Sequence, residues 1–215
     1  MKAYQIKIEL SNSEPLIWRR VVVPAQITFS QLHAVIQNSL NFKGLYVYTF
    51  DFPDQNLKVT NDDEAYKLYE EYRRDQEELE KVLGALGTSF AKKQLAAIST
   101  KVQKPEALKI DAYLQEVGRL EYKYSVEDNW VIFISLEQVV EDYNLSHPSL
   151  LAGEQAAPPE DVRGLAGFYE FLEVYRDPNH PDYQDAQIWG EKQDFRDYDA
   201  EYINSKLSVL NFGQD

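Results

Sequence analysis

The stretch Glu14-Pro15-Leu16-Ile17-Trp18-Arg19-Arg20-Val21-Val22-Val23-Pro24, followed by Ile27-Thr28-Phe29-Ser30-Gln31-Leu32-His33-Ala34-Val35-Ile36-Gln37, decides how the chain is read. It encodes a strand, a turn and a helix in succession. Thr28 in the N-cap position and Gln31 three residues on form a capping box, with Ile27 and Leu32 placed for a hydrophobic staple, so a helix is predicted to begin near Phe29. Phe29, Leu32, Val35, Ile36 and Leu40 recur at helical spacing and give that helix one apolar stripe to bury.

Upstream, Tyr4, Ile6, Ile8 and Leu10 alternate with Gln5, Lys7 and Glu9, the period-two pattern of a half-buried strand. The turn residues Ser11 to Pro15 join it to an antiparallel partner over Ile17 to Val23, which Pro24 stops because it cannot donate to a ladder. Downstream, Leu45 to Phe52 alternates again and places Tyr46, Tyr48, Phe50 and Phe52 on one face. Residues 61–118 then read as helical. A long charged helix starts at a second capping box, Asn61 and Glu64, and shorter helices follow over Phe90 to Ile98 and over Pro105 to Val117, the last closed by Gly118. Leu120 to Val126 and Trp130 to Leu136 read as a hairpin whose second strand is central, since both its faces are apolar. Beyond Pro158, short helices alternate with turns, ending in a helix over Ala200 to Ser208 capped by Asp199.

This order predicts an α+β fold with a mixed or antiparallel sheet of about five strands and helices mainly on one face. It predicts one domain over 1–215, with 61–104 a helical insertion and 158–215 an acidic helical part.

Charge is the strongest global statement: 22 basic against 36 acidic residues give a net charge of −14. Residues 1–60 carry six basic and four acidic groups, whereas residues 158–201 carry four and twelve. Such a field repels phosphate backbones, so nucleic acid is not an expected partner of the isolated chain. The absence of cysteine excludes disulfides and thiolate chemistry. No apolar run has the length of a membrane span, and the charged start Met1 to Lys7 does not read as a signal peptide, so a cytoplasmic location without membrane attachment is expected.

Pro15 to Val21, with Leu32-His33 and Ile36-Gln37, resembles the plasmid pRiA4b ORF-3-like family, found in bacterial genomes and on mobile elements. Tyr122 to Trp130 resembles that family's aspartate-bearing turn ending in tryptophan, and Ala152 to Asp161 with Gly164, Gly167 and Tyr169 resembles its C-terminal block, as does Asp177 to Pro181. The resemblance brings no established activity with it. Family members often carry histidines in the third strand and after the Asp-Trp turn, and cysteines in the C-terminal block. Tyr46, Tyr48 and Ile132 stand in the histidine places here, and Leu151, Ala157 and Val162 lie around the cysteine places. Histidine and cysteine are the usual zinc ligands, so neither metal nor cofactor is expected in this chain.

His33, His147 and His180 belong to no spaced ligand or catalytic motif, and His33 reads as a satisfied, half-buried histidine. Asp128 beside Asn129 reads as a turn former through side-chain to backbone bonds, or else as a polar group at a pocket mouth. Trp18 reads as a core anchor. Arg19 and Arg20 point to opposite faces of their strand, so one pairs with a carboxylate across the sheet, or one reaches an anion while stacking on Tyr46 or Tyr48. No GxxxxGK[ST], GxGxxG or GxSxG motif is present.

Three functions follow as expectations. The first is a non-catalytic module that contacts a protein partner through its sheet, its insertion or its acidic end. The second is a small-ligand binder or enzyme with a site drawn from Trp18, Arg19, Arg20, Tyr46, Tyr48, Asp128 and Trp130. The third is an accessory to DNA processing on a mobile element, which the charge opposes.

Overall fold

In the computed structural model, which describes residues 1–212, the opening stretch is built as read. Strands β1 (Ala3–Leu10) and β2 (Trp18–Pro24) form an antiparallel hairpin that leads into α1 (Phe29–Leu40). Both reciprocal bonds of the capping box are made: the Gln31 backbone N–H donates to Thr28 Oγ1 at 3.2 Å, and the Thr28 N–H donates to Gln31 Oε1 at 2.8 Å. All five residues of the apolar stripe are buried. At about 1.5–3 kcal/mol for each large side chain, this burial outweighs the roughly 1 kcal/mol of the cap; the cap fixes where α1 starts, and packing holds it.

The sheet has eight strands among the described residues, three more than the sequence suggested, in the order β5-β4-β3-β6-β7-β1-β2-β8. The expected ones are β1, β2, β3 (Tyr48–Phe52), β6 (Arg119–Tyr124) and β7 (Trp130–Val140), with β7 central as predicted. The additions are β4 (Leu57–Thr60), β5 (Lys101–Gln103) and β8 (Ser149–Glu154). They are short and owe their strand state to a neighbour, which period-two patterning cannot register. Only β4 and β5 pair in parallel; every other pair is antiparallel.

A parallel neighbour requires a crossover connection, and here three helices supply it: α2 (Asp63–Arg74), α3 (Gln76–Leu86) and α4 (Ser89–Ser99). The long helix expected here breaks at Asp75 into α2 and α3, and its cap shifts by one residue. Asp62 accepts from the N–H groups of Glu64 and Ala65, because Asn61 is drawn away to accept from the Tyr48 N–H at the start of β3. The helix expected from Pro105 is shortened to α5 (Asp111–Val117). Residues 105–110 instead lie across the start of α1, where the Pro105 and Leu108 carbonyls take the otherwise unpaired N–H groups of Ser30 and Phe29. The C-terminal helices are α6 (Gly164–Arg176), α7 (Tyr183–Lys192) and α8 (Ala200–Ser208), the last capped by Asp199 as read.

Register gives the sheet two unlike faces. The inner face carries Ile6, Ile8, Val21, Phe50, Val59, Tyr122, Ile132 and Ile134, all buried. A second row, in cross-strand order, is Asp51, Glu121, Phe133, Glu9 and Trp18, and it lies on the open face.

Candidate functional site

Aromatic and polar side chains converge where the C-terminal half of α1 crosses β3 and β6. His33 and Gln37, one helical turn apart, both face Tyr122. The Gly44 N–H donates to Gln37 Oε1 at 2.9 Å, which orients the amide so that its Nε2 donates to the Tyr122 hydroxyl, also at 2.9 Å. That hydroxyl then has its own hydrogen left for His33 Nδ1, 2.8 Å away. The imidazole therefore carries its proton on Nε2. Its ring stacks on Tyr48 with centroids 3.7 Å apart, and burial lowers its pKa to about 4, so it is neutral at physiological pH. Burial also raises the Tyr122 phenol well above its ordinary value and the Tyr48 phenol to about 12.

The chain leaves α1 through Asn41 in the left-handed conformation and Gly44 at φ +70°, which turns the 41–44 loop back over the helix. Phe42 stacks between Tyr124 and Trp130. Outside the loop is an open cleft of about 520 Å³ lined by His33, Gln37, Asn41, Lys43, Asp194 and Lys206, among others. Inside it lies Glu160, only 2% exposed, whose Oε1 accepts from the Lys43 N–H at 2.9 Å and from the Tyr124 hydroxyl. Burial is the main cause of the raised Tyr124 pKa, and Glu160 adds to it.

Asp128 is buried beside this group. Its Oδ1 accepts from the N–H groups of Arg163 (2.8 Å) and Gly164 (3.2 Å), and its Oδ2 from that of Asp161 (3.0 Å). A carboxylate from the β6–β7 turn thus serves the N-terminus of α6, whose N-cap, Arg163, makes no side-chain bond of its own. Next to it Tyr46 donates to Asp161, which lifts the Tyr46 pKa to about 12.

The residues singled out from the sequence fall into four places, Arg19 standing alone on the inner face beside the end of α1. Tyr46 and Asp128 meet at the 161–164 turn; Tyr48 and Trp130 pack in the aromatic layer; Trp18 and Arg20 lie across the sheet on the open face. The seven do not form one pocket. The Asp128 carboxylate does bond to backbone, but in the C-terminal block; within its own turn it meets the Ser125 hydroxyl.

For Trp18 the reading is inverted, and of the two arginines, whose facing the sequence left open, Arg19 is the inward one. Trp18 is on the open face, with the Lys7 and Arg20 cations 5.3 and 5.1 Å from its ring, while Arg19, 2% exposed, lies opposite Ile8 on the inner face. Its guanidinium donates to the carbonyls of Ser39 (3.1 Å), Trp18 (2.7 Å), Glu154 (2.7 Å) and Gln155 (2.9 Å), and stacks on Tyr198 rather than on Tyr46 or Tyr48. Ser39 is in the last turn of α1, where a cation is favoured, and that requirement turns Arg19 inward. Burial lowers its pKa to about 10. Gly153 makes the room: a Cβ there would come within 2.8 Å of the Arg19 Cδ. Arg20 makes the carboxylate pair across the sheet, bidentate to Glu137 at 2.5 and 2.7 Å.

Sequence reasoning passed over Gln37, Tyr122, Lys43 and Glu160. The His33-to-Gln37 spacing of four was a usable signal, since it puts two polar groups on one edge of an apolar stripe. Among the described residues, no three His, Asp or Glu side chains converge to hold a metal ion, and no helix is long and apolar enough to cross a membrane.

The family model of the plasmid pRiA4b ORF-3-like proteins matches residues 2–207. The chain belongs to that family. Another protein similar to this pRiA4b ORF-3-like chain is the uncharacterized protein y4hQ of Sinorhizobium fredii, 27% identical over 213 residues, covering 98% of this chain and 90% of that protein. The crystal structure of a protein of unknown function, MM3350 from Methanosarcina mazei Go1, is similar in fold, with a TM-score of 0.66 and 25% identity over 93% of this chain and 96% of that one. The pRiA4b ORF-3-like match spans the sheet, the aromatic layer and the C-terminal block alike.

Proposed function

We propose that the protein is a non-catalytic interaction module that meets a protein partner through the helical crossover between β4 and β5. The carrying observation is α3, in which no residue is buried, while Val82 and Leu86, with Phe90 at the start of α4, are 53%, 59% and 69% exposed. Three apolar side chains four residues apart in sequence, all facing water, cost the isolated protein solubility and stability and are explained by a surface that covers them. Glu77, Glu78 and Glu80 flank the strip along with Lys81, Lys92 and Lys93, so the partner that fits is an apolar patch with a rim of both charges. Buried Asp128 and exposed Asp161, at the turn before α6, support the non-catalytic part of this reading. Asp128 and Asp161 are engaged in holding the C-terminal block, and none is paired with a nucleophile and base in the manner of a reacting set.

The test is site-specific photo-crosslinking in the producing cells, with the reactive group at Val82 or Phe90 of the full chain and at exposed Lys58 as the reference. The expected result is a discrete adduct with one other protein from the first two positions, lost on Leu86→Asp. Adducts no stronger than those from Lys58 overturn the reading.

A further inference from the structure

We propose that the cleft between α1, the 41–44 loop and α8 is a binding site for a small organic anion carrying phosphate or carboxylate groups. This rests on the cleft alone and is independent of the partner surface on the helical crossover.

The cleft combines size, charge and an oriented donor. At about 520 Å³ it falls within the range of ordinary small-molecule sites. Two ammonium groups line it without a carboxylate within 4.0 Å among the described residues. Lys43 Nζ donates to the Gln193 side-chain oxygen at 2.5 Å, and Lys206 Nζ to the Asn41 side-chain oxygen at 2.9 Å, so each is held by a neutral amide and keeps its charge uncompensated. Asp194, the one acid in the lining, is occupied by Arg196 and by the Tyr202 hydroxyl. Glu160 lies behind the loop and spends one oxygen on the Lys43 N–H and the Tyr124 hydroxyl, so it fixes the loop that carries Lys43 while setting a negative charge at the back of the site. In a chain of net charge −14, a concave surface where two cations lack a carboxylate partner is a place where the general repulsion of anions is locally relieved.

His33 supplies the orientation. The relay from Gly44 through Gln37 and Tyr122 commits Nδ1 as an acceptor and leaves Nε2–H as the remaining ring donor, on the edge beside Gly44. A Cβ at position 44 would stand 3.8 Å from that nitrogen, so glycine keeps the edge uncovered. Stacking on Tyr48 holds the ring plane, so the donor is fixed before a ligand arrives. A ligand here would receive charge-assisted bonds from Lys43 and Lys206 and a neutral bond from His33, a set made only of donors, which selects for an acceptor-rich anion.

The experiment is titration of the full-length protein with pyrophosphate, adenosine monophosphate and citrate at low ionic strength, followed by calorimetry and by the 15N resonances of the His33 ring. The expected result is saturable binding of at least one of the three, with the Nε2 resonance moving and the Nδ1 resonance fixed, and a loss of roughly tenfold in affinity for each of Lys43→Ala and Lys206→Ala. Preference for pyrophosphate and the nucleotide identifies a phosphate site, and preference for citrate a carboxylate site. Both lysines are on the surface and their alanine variants should keep the parent circular dichroism spectrum, which separates loss of binding from loss of fold. Failure of all three anions to bind at millimolar concentration, or binding that survives the double lysine variant unchanged, overturns the proposal.

Discussion

Around Asp128 polar groups are in the interior, and three backbone N–H groups converge on one carboxylate; along α3 Val82 and Leu86 leave more than half of their surface in water. The first region departs from the rule that charges stay outside, yet its cost is offset because the acceptor meets donors that would themselves be unpaired at the start of α6. The second departs from the rule that apolar side chains go inside, since Val82 and Leu86 stay more than half exposed although α3 packs against α4. Interior polarity here serves assembly of the chain. The exposed apolar side chains of α3 are where the proposed partner surface lies.

Substitutions sharpen or break this contrast. The largest effect is expected from Arg19→Ala, which strands four carbonyls and leaves a hole beside Gly153; a loss of about 4 kcal/mol should appear in the urea unfolding midpoint. Asp128→Ala should cost about 3 kcal/mol by the same measurement, since three N–H groups lose their acceptor, and a loss under about 1 kcal/mol would show that the carboxylate is not what secures α6.

His33 gives the next effect, through pH. Its folded pKa of about 4 lies below the ordinary 6.5, so the unfolded chain binds the proton more readily, and stability present above pH 6.5 is lost as pH falls toward 4. After allowance for partial exposure of the ring the loss is about 2 kcal/mol, and it should be absent from the unfolding curves of His33→Gln. At the other end, Leu86→Asp should leave stability within about 0.5 kcal/mol of the parent, as expected for an uncovered site. A large loss there would place Leu86 in the protein's own core and dissolve the contrast.

The features legible in the sequence are those with a local cause. Thr28 with Gln31 and Asp199 before Ala200 fix two helix starts to the residue, because a cap needs nothing beyond its own turn. The run Val21-Val22-Val23 hides the parity of β2, so Trp18 reads as a core anchor and the choice between Arg19 and Arg20 stays open, whereas the end of α1 and the 154–155 carbonyls draw Arg19 inward and leave Trp18 on the open face. The short strands β5 and β8 exist through partners distant in sequence, beyond the reach of a periodic pattern, and β4, although it pairs locally with β3, is only four residues long. Glu160 is one acid among 36, and nothing near it in the chain announces that Tyr124 and the Lys43 N–H will close on it.

The Arg19 cluster also bears on folding kinetics. Its acceptors come from β2, from the end of α1 and from residues more than 130 positions away, so the guanidinium cannot shed its water until all three have docked. Bonds that need all three segments in place are expected to form late, so the loss on Arg19→Ala should fall mainly on the unfolding arm of the kinetics, shortening the lifetime of the folded chain more than slowing its formation.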